Sequence, residues 1–312
     1  MMGRFQREIV LALALGLVLA LLAIAAPSFF RGNQLLATLV ASAPVLVATL
    51  GMTLVILTRH IDISLGSQFS LCGVAAGLLA KAGLPMPLVA VFTLLLGALL
   101  GSVNAAFVAG LALPSIVVTL ATMVIYREAL RWWREGEFVR GLPADFQWFG
   151  WPQEVGAAII VLVALAVFAS LAWCLRNLAI GRALYATGSD AEAAYLAGIQ
   201  PRRVYAQVFI AAGGLIGLAA VLQQVRFAAV DPFAGNGLEL TAISAAVLGG
   251  VAIAGGRGTL VGPLIAVLLL ATIRPALVFL GAEAHWEKAL QGAIILLAVA
   301  SDRLQLGRSH AQ

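Results

Sequence analysis

The sequence predicts an all-α, polytopic helical membrane protein with about ten transmembrane helices. Of its 312 residues, 62% are hydrophobic and only 11% are charged, whereas about 25% of the residues of soluble domains are charged. The charges are also unevenly placed, because Asp, Glu, Lys and Arg are absent from six stretches: 9–30, 32–58, 63–80, 82–126, 155–175 and 204–225. A helix crosses a hydrocarbon core about 30 Å thick with about 20 mostly apolar residues. The chain therefore has enough apolar sequence for many crossings.

The apolar stretches predict helices rather than barrel strands, since they are rich in Leu, Ala and Val and do not alternate with polar residues. The stretch 82–126 is too long for one crossing, and Pro114 marks a break because proline begins helices better than it continues them. Arg274 interrupts the ninth span and the tenth is short, so nine or eleven spans would also fit. We expect spans near 9–27, 35–57, 66–80, 86–109, 114–130, 155–175, 205–224, 240–254, 261–280 and 287–300.

The N-terminal apolar run has two interpretations. Arg4 and Arg7 precede a run that ends in Ala23-Ile24-Ala25, a pattern that resembles a secretory signal with a small-residue cleavage site. We favour an uncleaved first span, because the run is long and leads into further spans. Arg4 and Arg7 would then hold the N-terminus in the cytoplasm, and an even number of spans would place the C-terminus there too.

Nothing in the sequence indicates catalysis, so we expect a protein that is not an enzyme and that holds no cofactor or metal. Cys72 and Cys174 both lie in apolar spans and lack metal-ligand spacing. The three histidines are scattered, and no Walker-type glycine-rich loop is present. The pI is about 9.8. We attribute the excess of basic residues to the orientation of the protein in the membrane rather than to nucleic-acid binding.

The longest polar stretch that we place inside the cell is 176–204. Ser189 or Asp190 is suited to cap a short helix that runs to Ala197, and Gly198 is suited to end it. That helix is too short to span a membrane and is flanked by charges, so it is expected to lie on the membrane face and to dock another protein. The alternative is a solvated connector.

Four motifs in this chain resemble those of a known family. Glu192-Ala193-Ala194-x-x-x-Gly198 resembles the EAA…G coupling loop of ATP-binding-cassette (ABC) importer permeases. The other three resemble motifs of sugar permeases in the ribose and branched-chain amino acid permease superfamily: GMTLVILTRHIDISLGS at 51–67, GRALYATG at 181–188 and AISAAVLGGVAIAGGRGTLVG at 242–262. Within that superfamily, YREALRWWREGEFVRGLP at 126–143 and TRHID at 58–62 look closest to permeases for rhamnose or autoinducer-2. The resemblance covers about residues 35–302.

The resemblance implies a single permease domain, residues 1–312, in a bacterial inner membrane. It would have a cytoplasmic coupling loop at 176–204 and a periplasmic loop at 126–154. Its implied partners are a cytoplasmic ABC ATPase, a second permease subunit that is identical or homologous, a periplasmic sugar-binding protein and the lipid bilayer. The residues implied to couple to the ATPase are Glu192, Ala193, Ala194 and Gly198.

Asp62 is the most informative residue for a translocation path or gate. It follows the second span, where it could act as a hydrogen-bonding hinge beside the path; alternatively, Asp62 or Ser64 caps the next helix. The glycines of the motifs allow close helix packing, which is their default role. The candidate path or gate residues are Thr58, Asp62, Ser64, Gly66, Ser67, Gly249 and Gly250.

Two further features each leave alternatives open. The loop 126–154 holds four of the six tryptophans, which predicts an aromatic belt at the membrane interface; a docking surface for the binding protein that uses Arg131, Arg134 and Glu135 is the alternative. Residues 47–67 and 246–263 are weakly self-similar, either as an internal repeat or by chance.

An importer subunit that relies on partners is the leading functional hypothesis, and a stand-alone secondary transporter or channel is the alternative. Ion-coupled carriers usually place ionisable residues in mid-span, and among the predicted spans only Arg274 does so. A membrane enzyme would need clustered polar groups at one depth, which the sequence does not indicate.

Overall fold

The computed structural model describes residues 6–30, 32–279, 289, 292 and 293. Within these residues the chain is built from helices, and its only strand-like pairing is a bridge between Val139 and Val230. A π-helical turn, Ala106–Gly110, extends the helix Met86–Ala105. The α-helices are α1 Gln6–Ala25, α2 Gly32–Leu57, α3 Leu65–Lys81, α4 Met86–Ala105, α5 Ser115–Arg134, α6 Gln153–Asn177, α7 Ala179–Ser189, α8 Ala191–Leu196, α9 Pro201–Gln224, α10 Leu238–Leu248 and α11 Val261–Phe279.

These helices confirm an all-α, polytopic membrane protein, but the count of about ten spans is not confirmed. Helices lie at the first nine predicted spans, while the tenth, 287–300, falls almost entirely outside the described residues. In the part of the chain that the structure describes, six helices are long and apolar enough to cross a bilayer: α1, α2, α4 extended by its π-turn, α6, α9 and α11.

The predicted span at 240–254 is wrong in its extent. Helix α10 ends at Leu248, and Gly250 then adopts a φ of +86°, a left-handed conformation that favours glycine. With 11 residues and a rise of 1.5 Å per residue, α10 is about 16 Å long. It therefore reaches only about half-way across a hydrocarbon core about 30 Å thick.

Helices α2 and α9 form the centre of the bundle. Residues 42–57 of α2 are almost all buried, whereas α1 is largely exposed and packs against α11. Helix α4 lies close to α9 because glycines face each other: a Cβ on Gly97 would lie 2.2 Å from Gly213 O, and one on Gly101 would lie 2.3 Å from Phe209 O. Small residues of this kind let membrane helices approach backbone to backbone.

One end of the bundle, here called the α7–α8 end, gathers the segment 176–204 and two other loops. The Gly256 N–H donates to Leu57 O over 2.9 Å, and the Tyr185 hydroxyl donates to Gly258 O over 2.9 Å. The N-terminal part of α1 reaches this end as well, where Thr259 donates a hydrogen bond to Glu8.

The opposite end, here called the 126–154 end, joins that segment to the residues that follow α9. Val139 and Val230 exchange two backbone hydrogen bonds of 3.0 Å, and the Trp148 N–H donates to Val225 O over 2.7 Å. Helix α9, with 24 residues and a length of about 36 Å, separates the two ends.

The two segments of the suggested repeat, 47–67 and 246–263, do not have the same secondary structure. Gly51 lies inside α2, whereas its counterpart Gly249 follows the end of α10. A unit of long helix, connector and shorter helix does occur twice, over residues 32–81 and 201–248. The short helices of the two units, α3 and α10, meet near their N-terminal ends, where a Cβ on Gly66 would lie 2.4 Å from Gly235 O.

Candidate functional site

The connector between α2 and α3 holds a buried polar network around Asp62. The Asp62 carboxylate accepts hydrogen bonds from the Ser64 N–H (2.9 Å), the Ser64 hydroxyl (2.5 Å) and the Gln68 amide nitrogen (3.0 Å). All three residues are buried, with at most 3% of their surface exposed. A buried carboxylate is tolerated because its oxygens have several donors.

The network extends into α4 and α5. The Asn104 amide nitrogen donates to the Ser64 hydroxyl over 2.8 Å, and the Thr122 hydroxyl donates to Asn104 Oδ1 over 2.8 Å. Thr119 donates to Ile61 O over 3.2 Å. The connector is thus tied to three helices, and Asn104 lies at the end of α4 just before its π-turn.

The geometry does not support the capping hypothesis for this connector. Neither side chain caps α3: Ser64 makes no side-chain hydrogen bond to the first turn, and Asp62 accepts from Ser64 itself.

Burial raises the pKa of the Asp62 carboxyl, while the hydrogen bonds from Ser64, Gln68 and Asn104 act in the opposite direction. Burial also lowers the pKa of the neighbouring His60 to about 4, so His60 is neutral at pH 7.

The other candidate path residues separate into different environments. The Thr58 hydroxyl donates to Val55 O over 2.8 Å, which is a local hydrogen bond at the C-terminal end of α2. Gly249 packs against Pro263, where a Cβ would lie 2.2 Å from the proline nitrogen, and Gly250 completes that turn. The structure therefore places Gly249 and Gly250 at the turn between α10 and α11, with no contact to Asp62.

Gly66 and Ser67 lie near a charged pair that the sequence did not reveal. A Cβ on Gly66 would lie 2.1 Å from the Glu239 carboxylate, and Glu239 in turn lies 3.8 Å from the Arg127 guanidinium. Ser67 donates to Ser64 O over 2.8 Å, so it joins the two regions. The two charges are 112 positions apart in the chain, and no local pattern indicates their contact.

The segment 176–204 contains two short helices, α7 and α8, between the end of α6 and the start of α9. As the sequence predicts, Asp190 caps α8 by accepting from the Glu192 N–H (2.9 Å) and the Ala193 N–H (3.0 Å). Gly198 follows the helix with a φ of +86°. Helix α7 was not predicted.

Helix α7 is fastened to the end of α2 through Arg59, and we call this contact the Arg59 junction. Arg59 Nε donates to Gly188 O over 2.6 Å, and its guanidinium also donates to Ser189 O. A Cβ on Gly188 would lie 1.8 Å from Leu57 O, and one on Gly256 would lie 2.6 Å from the Ser189 backbone. The junction explains why glycines recur in the motifs at 181–188 and 242–262.

Helix α8 presents an exposed surface beyond this junction. Tyr195 and Leu196 are 66% and 80% exposed, so two large apolar side chains lie at its surface. Glu192, Ala193 and Gly198 are exposed beside them, whereas Ala194 is buried and packs inward. Of the four predicted coupling residues, three are thus available to a partner.

The tryptophans of the segment 126–154 are divided between surface and interior. Trp132, Trp133 and Trp151 are exposed, whereas Trp148 packs against the core. Exposed rings are compatible with both the interfacial belt and the docking surface.

A polytopic helical bundle with a buried polar connector and exposed short helices at one end has the architecture of a membrane transport subunit. The chain belongs to the family described as branched-chain amino acid transport system / permease component, whose model matches residues 34–299. No solved structure matches the chain.

Similar proteins are known from several bacteria under one description, "Autoinducer 2 import system permease protein LsrC". The protein from Escherichia coli (strain K12 / DH10B) is 34% identical over 302 residues, which cover 95% of this chain and 87% of that protein. The Shigella flexneri protein is 35% identical with the same coverage. The Salmonella paratyphi B protein is 34% identical over 86% of this chain and 78% of its own length.

Proposed function

We propose that this chain is the permease subunit of an ATP-driven ABC importer for a monosaccharide or sugar-like solute of the rhamnose or autoinducer-2 type. The observation that carries the proposal is the Arg59 junction, which fastens the end of α7, immediately before the exposed helix α8, to the end of the central helix α2. The relatives described as autoinducer-2 import permeases support the solute class.

The junction suggests how a partner could drive the path. A force on α8 reaches Arg59 through Ser189 and Gly188, whose carbonyls accept its hydrogen bonds. Arg59 lies three residues before Asp62, so the same movement reaches the buried network that ties the connector to α3, α4 and α5. Tightly packed elements of this kind transmit rigid-body shifts rather than absorbing them.

The proposed partners follow the two ends of the bundle. A cytoplasmic ABC ATPase would bind at α8, with Glu192, Ala193 and Gly198 in the contact. A periplasmic sugar-binding protein would bind at the 126–154 end, and a second permease subunit, identical or homologous, would complete the path. We propose an inner-membrane location with both termini in the cytoplasm; the position of Glu8 beside Thr259 at the α7–α8 end supports this for the N-terminus.

A stand-alone secondary transporter remains the second candidate function. The observation in its favour is the ion pair of Arg127 and Glu239, because ion-coupled carriers place ionisable groups inside the membrane.

Reconstitution in liposomes tests the proposed function. The chain should import autoinducer-2 or L-rhamnose when the second permease subunit, the ATPase, the binding protein and ATP are all present. It should import neither solute under a proton or sodium gradient without the ATPase. Accumulation driven by the gradient alone would favour the secondary transporter and overturn the proposal.

Replacing Gly198 by valine tests the docking of the ATPase at α8. Gly198 has a φ of +86° and open space around a Cβ, so a valine strains the backbone by about 1–2 kcal/mol without a clash. We expect Gly198→Val to reduce recovery of the ATPase in pull-downs while recovery of the binding protein is unchanged. Glu192→Lys should act in the same direction.

Gly83→Val is a matched control for this substitution. Gly83 has a φ of +87° and equally open surroundings, but it lies in the turn between α3 and α4, across the bundle from α8. It should leave ATPase recovery unchanged. Equal loss of ATPase in both variants would show that the effect comes from general destabilisation rather than from the docking surface.

A further inference from the structure

A narrow cavity lies between α3, α5 and the loop that leads into α10. Its polar lining consists of Ser67, Ser70, Arg127, Arg131 and Asn236, and Phe233 covers one side. The cavity encloses about 300 Å³ when its open mouth is counted, but its interior has room for only about one water molecule. In this state the cavity is closed to a solute.

The charged pair beside the cavity is incompletely satisfied. The atoms joined by the ion pair of Arg127 and Glu239 are 3.8 Å apart, which is longer than a hydrogen bond. In the described structure, Arg127 Nε and Glu239 Oε2 are buried and have no hydrogen-bond partner. Buried donors and acceptors without partners destabilise a fold, so this pair is not explained by its contribution to stability.

The loop over the cavity is joined to α3 at Gly235. The Gly235 N–H donates to the Ser70 hydroxyl over 3.0 Å, and the Phe233 N–H donates to the Asp231 carboxylate over 2.8 Å. Gly235 and Gly66 touch backbone to backbone, so a side chain does not have to rotate before they separate. Movement of this loop away from α3 would widen the cavity and uncover Glu239.

We propose that Arg127 and Glu239 form a solute-binding site on the outer half of the path, which takes a neutral solute with neighbouring hydroxyl groups. This inference rests on the proposed function. The guanidinium can donate to one hydroxyl oxygen while the carboxylate accepts from the next hydroxyl. Ser67, Ser70 and Asn236 add neutral polar groups around them.

The opposite charges of the pair select the class of solute. A hydroxylated neutral molecule satisfies the donor and the acceptor together. An anion would be repelled by Glu239 and a cation by Arg127, and either would have to be desolvated in a largely buried site. The site therefore favours a solute without net charge over an anion or a cation.

Uptake per ATP hydrolysed tests this site in the complete complex with its ATPase and binding protein. The probes are autoinducer-2 and L-rhamnose. We expect Glu239→Gln to lower uptake per ATP by about tenfold or more, since it replaces a charged acceptor in the path. ATP hydrolysis stimulated by the loaded binding protein and the amount of assembled complex should be unchanged.

Glu128→Gln is the matched control. Glu128 pairs with Arg131 over 3.5 Å on the same stretch of chain, but both side chains are more than half exposed. This variant should keep the uptake per ATP of the unaltered complex.

A second measurement reports binding directly. A cysteine introduced at Asn236, in a chain with Cys72 and Cys174 replaced by serine, should be protected from a thiol reagent when the solute occupies the path.

Three results would overturn the inference. The first is unchanged uptake per ATP in Glu239→Gln, and the second is a parallel loss of uptake, ATP hydrolysis and assembly, which indicates a structural role. The third is labelling of the cysteine at position 236 that solute does not alter. If the unaltered complex hydrolyses ATP but imports neither probe, the proposed function itself fails and this inference fails with it.

Discussion

Gly188→Ala is expected to lower solute uptake by at least about tenfold, because the added methyl group forces α7 away from α2. Its Cβ would lie 1.8 Å from Leu57 O and 2.7 Å from Gly256 N. Both neighbours are backbone atoms, so no side-chain rotation can relieve the clash. Overpacking of this kind costs about 1–3 kcal/mol, and a change of 1.4 kcal/mol already corresponds to about tenfold. Uptake in ATP-loaded liposomes, measured beside ATP hydrolysis, checks the prediction.

Gly110→Ala is the control for this change. Gly110 lies at the same end of the bundle, and a Cβ there would meet nothing within 4 Å, so uptake should be unaffected. A Gly188→Ala protein that hydrolyses ATP without importing solute would locate the coupling in the Arg59 junction. Full uptake by that variant would show that close contact between α2 and α7 is not needed during turnover. This result would contradict the proposed transmission of movement from α8 to Asp62.

The coupling segment shows which parts of this fold local sequence can predict. Helix α8 was predicted because its signals are local: Asp190 caps it, and Gly198 ends it. Helix α7 was not predicted, because its glycines are required by contacts with residues that are distant in the sequence. Gly188 is required by Leu57, which lies 131 positions earlier in the chain, and no periodicity within α7 records that contact.

The length of α10 was wrong for a related reason. Residues 240–254 carry no charge, so hydropathy continues across the point where the helix stops. Gly249 and Gly250 mark that point, but paired glycines in a membrane helix are also typical of close packing. The contact of Gly249 with Pro263 distinguishes the two roles, and it depends on how α10 and α11 fold back on each other.

The candidate site was predicted in part. Asp62, Ser64, Gly66 and Ser67 were found because they form one short motif. Gln68 and Asn104, which complete the network, were not singled out, since an amide in an apolar helix carries no indication of its partner. A search for polar residues inside the uncharged stretches would have found Asn104, whereas the contact of Arg127 with Glu239 required the fold.

Asp62→Leu is expected to be the most destabilising of the substitutions considered for the connector. Leucine is branched like aspartate but is larger and accepts no hydrogen bond, so the Ser64 N–H and the Gln68 amide would lose a buried acceptor. Each buried group left unsatisfied costs about 1–3 kcal/mol, so the two groups together are expected to cost about 2–6 kcal/mol. Thermal unfolding of the purified protein in detergent measures this loss.

Asp62→Asn should cost less, and the reason lies in Gln68. Its Oε1 is buried without a hydrogen-bond partner in the described structure, so rotation of the amide by about 180° would offer an acceptor to the new asparagine. Asp231→Leu is the control, because Asp231 also accepts from the amide two residues ahead, but in a partly exposed loop where water can replace it. If Asp62→Leu and Asp231→Leu unfold alike, the polar network does not hold the connector. If Asp62→Asn is as unstable as Asp62→Leu, the charge of Asp62 is what the network requires.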